Sequence, residues 1–161
     1  MTRDLFLRRK WTLRAHGEQV VFVKRTNERR EHVLMKAFLW ALYLPDYPDL
    51  VVEVSVDDRY KPDVVSLDLG GEPRFWGEAG HVSPSKIRAL VNRYRETHFA
   101  LAKWDADLAP FLETVRDALD EVGRQAPFDL IHFPPDSAER FIGERGRIDV
   151  SHEDLDWTRL S

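Results

Sequence analysis

Short apolar runs separated by polar turns recur along the chain, and this pattern predicts a sheet of several strands. In residues 50–56, for example, the apolar side chains fall at every second position, as in a strand with one buried face. Gly70 and Gly71 suit the positive φ angles of a tight turn, so the runs on either side are expected to pair as an antiparallel hairpin. The predicted strands are residues 4–14, 19–25, 50–56, 62–68, 73–80, 97–103 and 128–133.

Between these strands, apolar residues recur at helical spacing or follow helix-capping residues, which predicts four helices. The first helix is capped by Thr26 or Asn27 and ends at Pro45, and the second begins with Ser83 and Pro84. The third covers residues 105–122 and is stopped by Gly123, and a short fourth helix is capped by Asp136 or Ser137. The C-terminal residues 143–161 are expected to be partly irregular. The element order predicts an α/β (α+β) fold, a mixed β-sheet flanked by helices with an N-terminal β-hairpin.

Composition supports a single domain over residues 1–161. The chain is 43% hydrophobic and 32% charged, which fits one packed core. It has no cysteine, so disulfides and thiolate metal sites are excluded and a cytoplasmic location is expected. No run approaches the roughly 18 apolar residues of a membrane helix, and a formal charge of −4 argues against a constitutive nucleic-acid coat.

Two acidic residues lie at comparable positions on the two strands of the predicted Gly-Gly hairpin. Asp63 opens the first strand, and Glu78 lies near the end of the second, so a hairpin register can place them opposite each other. Two carboxylates within roughly 4 to 6 Å repel unless a cation lies between them, which favours Mg²⁺ or Mn²⁺. The alternative is two solvated strand acids without a shared ion.

This segment resembles the PD-(D/E)XK nuclease superfamily, and within it the YaeQ-like family, which has a similar Pro-Asp, then Trp-x-Glu-x-Gly, then a helix with a basic residue near its start. The matching residues here are Pro62-Asp63, Trp76-x-Glu78-x-Gly80 and Lys86. The resemblance is clearest from residue 60 to residue 95. It implies a restriction-endonuclease-like sheet in which Asp63 and Glu78 bind metal. Gly80 stands where the superfamily has a lysine that helps to activate water.

Other residues are candidates for the remaining roles in such a site. Lys86, near the start of the second helix, is a candidate to position the water in place of the missing lysine, and His81 is a candidate general base. Glu53, or Glu31 on the first helix, is a candidate third metal ligand. Several basic residues can bind phosphate if they gather at one rim, and otherwise they serve only solubility. They are the second-helix arginines and Arg8, Arg9, Lys10, Lys24, Arg25, Arg29 and Arg30.

Three functions are consistent with the sequence. The first is a metal-dependent phosphodiesterase of nuclease type that acts on nucleic acid, with water attack assisted by a divalent metal held by Asp63 and Glu78. The second is a catalytically inactive domain of the same fold that binds nucleic acid or a partner protein, as the absence of a lysine at position 80 suggests. The third is a small-molecule hydrolase or binding protein that uses the same acidic pocket.

Overall fold

The computed structural model describes residues 2–161. The six-stranded sheet has the strand order β3-β4-β5-β6-β7-β8, and a separate two-stranded sheet pairs β1 with β2. The strands are β1 (Lys10–Ala15), β2 (Glu18–Val23), β3 (Val51–Val52), β4 (Val64–Leu67), β5 (Pro73–Ala79), β6 (His98–Trp104), β7 (Phe128–Phe133) and β8 (Asp156–Leu160). The helices are α1 (Thr2–Phe6), α2 (Arg30–Tyr43), α3 (Pro84–Arg93), α4 (Ala109–Val122) and α5 (Ser137–Phe141), with short 3₁₀ turns at Glu144–Gly146 and His152–Asp154.

The large sheet is mixed, as the element order predicts. Strands β5, β6 and β7 are parallel to one another, and β4 and β8 pair antiparallel with their outer edges. Helices α3 and α4 form the connections between the parallel strands, which is the usual arrangement because parallel neighbours need a long crossover. The carboxyl ends of β5, β6 and β7 therefore meet at one edge of the sheet.

The two faces of the sheet carry two separate cores. On β5, Phe75 packs into a cluster that includes Phe38 and Leu39 of α2. The next residue, Trp76, faces the opposite way and packs with Leu90 of α3 and Leu119 of α4. This alternation follows from the two-residue period of a strand, and it decides which helix each residue of β5 faces.

The N-terminal hairpin forms, but its strands are shorter than predicted. Lys10 is paired with Val23 and Ala15 with Glu18, and the turn between them consists of His16 and Gly17, both with positive φ (52° and 79°). Residues 4–6, which were predicted as part of the first strand, belong to α1.

Other boundaries also differ from the prediction: α4 begins at Ala109 rather than at residue 105, and β4 spans Val64–Leu67 rather than residues 62–68. The strand predicted at residues 50–56 is reduced to Val51–Val52, because Glu53 adopts a positive φ of 55° and turns the chain out of the sheet. Helix α2 begins after Arg29 rather than after Thr26 or Asn27. Within the partly irregular C-terminal stretch, Asp156–Leu160 forms a strand, β8, that pairs with β7. Among residues 2–161, no helix has both the length and the apolar character needed to cross a bilayer.

Candidate functional site

Asp63 and Glu78 lie together at the carboxyl end of β5. The last residue pair of the β4–β5 ladder is Val64 with Gly77, and the Asp63 backbone N–H donates to the Gly77 carbonyl at 3.0 Å. Continuing this antiparallel register by one residue places Asp63 opposite Glu78. The predicted Gly-Gly hairpin, with Gly71 at a φ of 85°, therefore brings two acidic residues 15 positions apart in sequence to the same end of the sheet.

The Asp63 carboxylate is held at the strand end by two neighbours. Its Oδ2 accepts a hydrogen bond from the Ala79 backbone N–H at 2.8 Å. The same oxygen lies 3.6 Å from Nε2 of His32, which projects from α2. The hydrogen bond to Asp63 is the largest influence on His32 and raises the pKa of its imidazole, with a further contribution from Glu28. Asp63 therefore favours the protonated form of His32, and His32 helps to fix the orientation of Asp63.

Glu78 is buried on the opposite side of the strand end, against α3. Its Oε1 accepts hydrogen bonds from the Trp76 indole N–H at 2.9 Å and from the Lys86 ammonium at 2.9 Å. Burial and the negative charge of Asp63 together raise the pKa of Glu78, and these effects outweigh the hydrogen bonds that lower it. The charge of Asp63 thus disfavours ionisation of Glu78, although Asp63 contacts His32 of α2 and Glu78 contacts Lys86 of α3.

A second group of charges lies beside Asp63 on the α2 side. The ammonium of Lys36, whose side chain is 3% exposed, donates to Oε2 of Glu28 at 2.6 Å and to Oε1 of Glu53. Burial alone would lower the pKa of Lys36, but the two glutamates outweigh that effect and raise it. Glu28 also accepts from Nδ1 of His32 at 2.8 Å, so the chain Lys36, Glu28, His32, Asp63 is continuous.

Two open cavities adjoin this network. One, of about 400 Å³, is lined by Asp63, Glu53, Lys36 and their neighbours, and a larger cleft of about 1300 Å³ lies between α1, the start of α2 and the end of β5. His32 and Glu28 line both cavities. Asp63 therefore faces solvent-filled space, whereas Glu78 lines neither of these two cavities.

The remaining predicted residues are placed as follows. Lys86 contacts Glu78, and His81 is exposed on the wall of the large cleft beside Gly80. Glu53 lies near Asp63 but is ion-paired with Lys36, and Glu31 lines the cleft. The structure thus places Lys86 in contact with Glu78. It places Glu53 at the edge of the charge network around Asp63.

A further lysine lies next to Gly80 on the neighbouring strand. Ala79 pairs with Ala102, so Lys103 is the lateral neighbour of Gly80, and its ammonium donates to the Gly80 carbonyl at 2.6 Å. Burial lowers the pKa of Lys103, which has no carboxylate partner among the residues that the structure describes. Gly80 itself has a φ of 86°, a backbone conformation that favours glycine.

Asp63 and Glu78 each have one carboxylate oxygen without a hydrogen-bond donor among the residues that the structure describes. These two oxygens are Oδ1 of Asp63 and Oε2 of Glu78. Within that described part of the chain, no group of three or more His, Asp or Glu side chains is arranged to hold a metal. Mg²⁺ usually takes one or two carboxylates and completes its shell with water and substrate phosphate, which two acids satisfy.

Three residues of the network were missed by the sequence reasoning. Glu28, His32 and Lys36 follow one another at intervals of four, the spacing that places side chains on one face of a helix. This polar stripe beside an apolar helix face was visible in the sequence. Lys103 gave no such signal, because only the pairing of β5 with β6 brings it to Gly80.

No protein-family model matches the sequence, and no curated protein matches it either. Two solved structures are similar to this chain over most of their length. One is the YaeQ protein from Pseudomonas syringae, with 13% identity, a TM-score of 0.64, and coverage of 91% of this chain and 86% of that chain. The other is the YaeQ protein from Xanthomonas axonopodis pv. citri, with 17% identity, a TM-score of 0.63, and coverage of 95% of this chain and 89% of that chain. The mixed sheet, its flanking helices and the N-terminal hairpin together therefore have the fold of the YaeQ proteins.

Proposed function

We propose that this protein is a divalent-metal-dependent phosphodiesterase that acts on nucleic acid, with Asp63 and Glu78 as its metal ligands. The observation that carries the proposal is the placement of these two acids at one strand end, where each retains a carboxylate oxygen without a hydrogen-bond donor from residues 2–161. Hard oxygen donors in this number suit Mg²⁺ or Mn²⁺. When bound, such an ion would polarise a phosphodiester and lower the pKa of a water molecule.

The contribution of the protein is to hold the two acids in place before any ligand arrives. The Ala79 N–H and His32 fix Asp63, and the Trp76 indole and Lys86 fix Glu78. Ligands whose orientation is set by surrounding hydrogen bonds lose little freedom on binding, so this outer shell supports affinity.

We assign the positioning of the attacking water to Lys86, whose ammonium lies 2.9 Å from Glu78 Oε1. It approaches the acid pair from α3, where Ser83 Oγ accepts from the Lys86 backbone N–H at 3.2 Å and fixes the first turn of the helix. Gly80 has no side chain with which to do this. His81 is the competing candidate, since it is exposed at the cleft.

The test is cleavage of supercoiled plasmid and of a labelled single-stranded oligonucleotide in Mg²⁺ or Mn²⁺. Asp63→Asn and Glu78→Gln are expected to lose at least about a hundredfold in rate, since second-shell changes alone already cost 10- to 100-fold. Glu113→Gln, an exposed acid on α4, is the matched control and should be unaffected. Lys86→Gln compared with His81→Gln separates the two water-positioning candidates. Equal activity in the wild type and both acid variants would remove the proposal.

A second candidate function is a catalytically silent domain that binds nucleic acid or a partner protein. It is favoured by the ammonium groups already present, because Lys86 is ion-paired with Glu78, and Lys36 is ion-paired with Glu28 and Glu53. If calorimetry with Mn²⁺ shows no heat while the protein still binds an oligonucleotide in EDTA, this second function replaces the first.

A further inference from the structure

The charge of the chain is strongly uneven along the sequence. Residues 1–30 contain nine Lys and Arg against three Asp and Glu, whereas residues 31–161 contain fifteen against twenty-five. The first thirty residues therefore carry a net charge of +6 and the rest −10, although the whole chain has a formal charge of −4. Such an asymmetry concentrates positive potential on the N-terminal hairpin and its surroundings.

The structure gathers part of this charge in a groove. An open cavity of about 470 Å³ lies between α1, β1 and the 3₁₀ turn at Glu144–Gly146. Four exposed basic side chains line it, and Asp4 is the acidic residue among its lining. The four are Arg8, Lys10, Arg14 and Arg145. Three of them come from the basic N-terminal segment, and Arg145 comes from the far end of the chain.

The turn that supplies Arg145 is seated firmly on the hairpin. Arg145 and Gly146 both have positive φ (58° and 71°), and a Cβ on Gly146 would overlap the Thr12 carbonyl oxygen. The Arg14 guanidinium donates to the Arg145 carbonyl, and the Ile148 N–H donates to the Arg14 carbonyl at 2.7 Å. A left-handed conformation costs an arginine about 1 to 2 kcal/mol, so these contacts must hold it there.

We propose that this groove binds the sugar-phosphate backbone of nucleic acid. Arginine and lysine are the side chains that neutralise backbone phosphates, and four of them around one groove can contact successive phosphates of a strand. The choice of nucleic acid as the polyanion rests on the proposed function. Helix α1 and the two residues after it separate the groove from the large cleft, because Leu5 and Arg8 line the groove and Phe6 and Leu7 line the cleft. A strand held in the groove thus continues over α1 toward the cleft and the acidic site.

The experiment is fluorescence anisotropy with a labelled 20-base-pair duplex and a labelled 20-nucleotide single strand, in EDTA, over a range of salt concentrations. The test variant is Lys10→Gln with Arg145→Gly, because glycine adopts the positive φ of position 145 without strain. The matched control is Arg74→Gln with Arg116→Gln, which removes two exposed arginines from β5 and α4. Circular dichroism confirms that both variants are folded.

The expected result is that the groove variant binds duplex at least about tenfold more weakly at 0.1 M salt. Its plot of log K against log salt should also be less steep by about 1.8, since each lost phosphate contact on a duplex changes the slope by about 0.9. Equal losses in the groove and control variants would overturn the inference. So would a groove variant that binds nucleic acid normally but loses binding to vesicles of phosphatidylserine and phosphatidylcholine.

The outcome is independent of catalysis. If the groove variant loses binding while the wild type shows no metal-dependent cleavage, the groove assignment stands and the phosphodiesterase proposal fails. If the wild type cleaves and the groove variant binds and cleaves equally well, the groove assignment fails and the phosphodiesterase proposal stands.

Discussion

Glu78 is the residue at which the proposed function and the stability of the protein oppose each other. Its folded-state pKa is raised by burial and by the charge of Asp63, so its ionised form is less favourable in the folded state than in the unfolded chain. The contribution of Glu78 to the free energy of unfolding therefore falls as the pH rises above about 4.5, the ordinary pKa of a glutamate side chain. Without a bound cation, ionisation of Glu78 therefore opposes folding.

Glu78→Gln is accordingly predicted to stabilise the metal-free protein at pH 7.5 by an amount on the order of 1 kcal/mol. The Gln carbonyl can still accept from the Trp76 indole, so the packing is preserved. Urea unfolding in EDTA measures the effect, and the difference from the wild type should shrink toward pH 4 as Glu78 becomes protonated. A variant that is less stable than the wild type at both pH values would show that Glu78 is a purely structural acid.

Asp129 is a buried acid with the opposite behaviour, at the amino ends of the parallel strands. It accepts hydrogen bonds from Tyr43 at 2.6 Å, from His98 Nε2 at 2.7 Å and from the Arg159 guanidinium at 2.8 and 3.0 Å. Burial alone would raise its pKa, but these donors lower it to about 2. Because this lies below the unfolded value of 3.8, the stabilisation is present above pH 3.8 and is lost as the pH falls toward 2.

Asp129→Asn is predicted to destabilise the protein by about 3 kcal/mol at pH 7, because Arg159 and His98 lose their charged partner in a buried site. Unfolding free energies measured between pH 5 and pH 2 give a second readout. The wild type should lose about 2 kcal/mol from this group over that range, and the variant should lack this component. Parallel pH profiles for the two proteins would contradict the assignment.

Among the elements, the pairing of β4 with β5 depends on Gly77. A Cβ at this position would overlap Val64 Cγ2 and would lie 3.3 Å from Phe75 and 3.5 Å from Leu39 of α2. The glycine therefore allows α2 and β4 to pack closely over the strand that carries Glu78.

Gly77→Ala is predicted to destabilise the protein by about 1 to 3 kcal/mol, the usual cost of overpacking a core. Thermal unfolding followed by circular dichroism checks this prediction. Gly70→Ala is the matched control, because a Cβ there meets no atom closer than 3.4 Å and the position lies in an exposed turn. A similar melting temperature for both variants would show that the α2 layer accommodates the extra carbon freely.

Most elements of the fold followed from local sequence, and the exceptions have local causes. The Gly-Gly hairpin and the helices opened by Ser83 and ended by Gly123 carry strong signals, and they were predicted. The strand at residues 50–56 was predicted too long, since alternating valines do not reveal that Glu53 takes a positive φ. Strand β8 was missed because its polar, partly exposed sequence pairs only along one edge, with β7.

The arrangement of side chains around Asp63 and Glu78 was predicted less completely than the fold. The positions of Asp63, Glu78 and Lys86 followed from hairpin register and helix capping, which are local. The contribution of α2 was not predicted, because the approach of His32 and Lys36 to the strand end depends on how that helix packs across the sheet. Lys103 likewise reaches Gly80 only through a parallel pairing between strands separated by a whole helix.

For the molecule as a whole, the acidic site lies where ligands usually bind in sheets with parallel strands. The carboxyl end of β5 meets the open cleft, and crevices at this edge are the common location of binding sites in such folds. The opposite edge is filled by Asp129 and its donors, which have packed partners and a structural role. The edge for which we propose a function is therefore the one that borders open space.

The most direct test of this account is Mn²⁺ binding followed by electron paramagnetic resonance, in which bound Mn²⁺ loses the signal of the free ion. The wild type is expected to bind one ion, and Asp63→Asn and Glu78→Gln are each expected to weaken that binding at least tenfold. Asp117→Asn, an exposed acid on α4, should bind as the wild type does. Identical titrations for all four proteins would contradict the claim that Asp63 and Glu78 share a divalent ion.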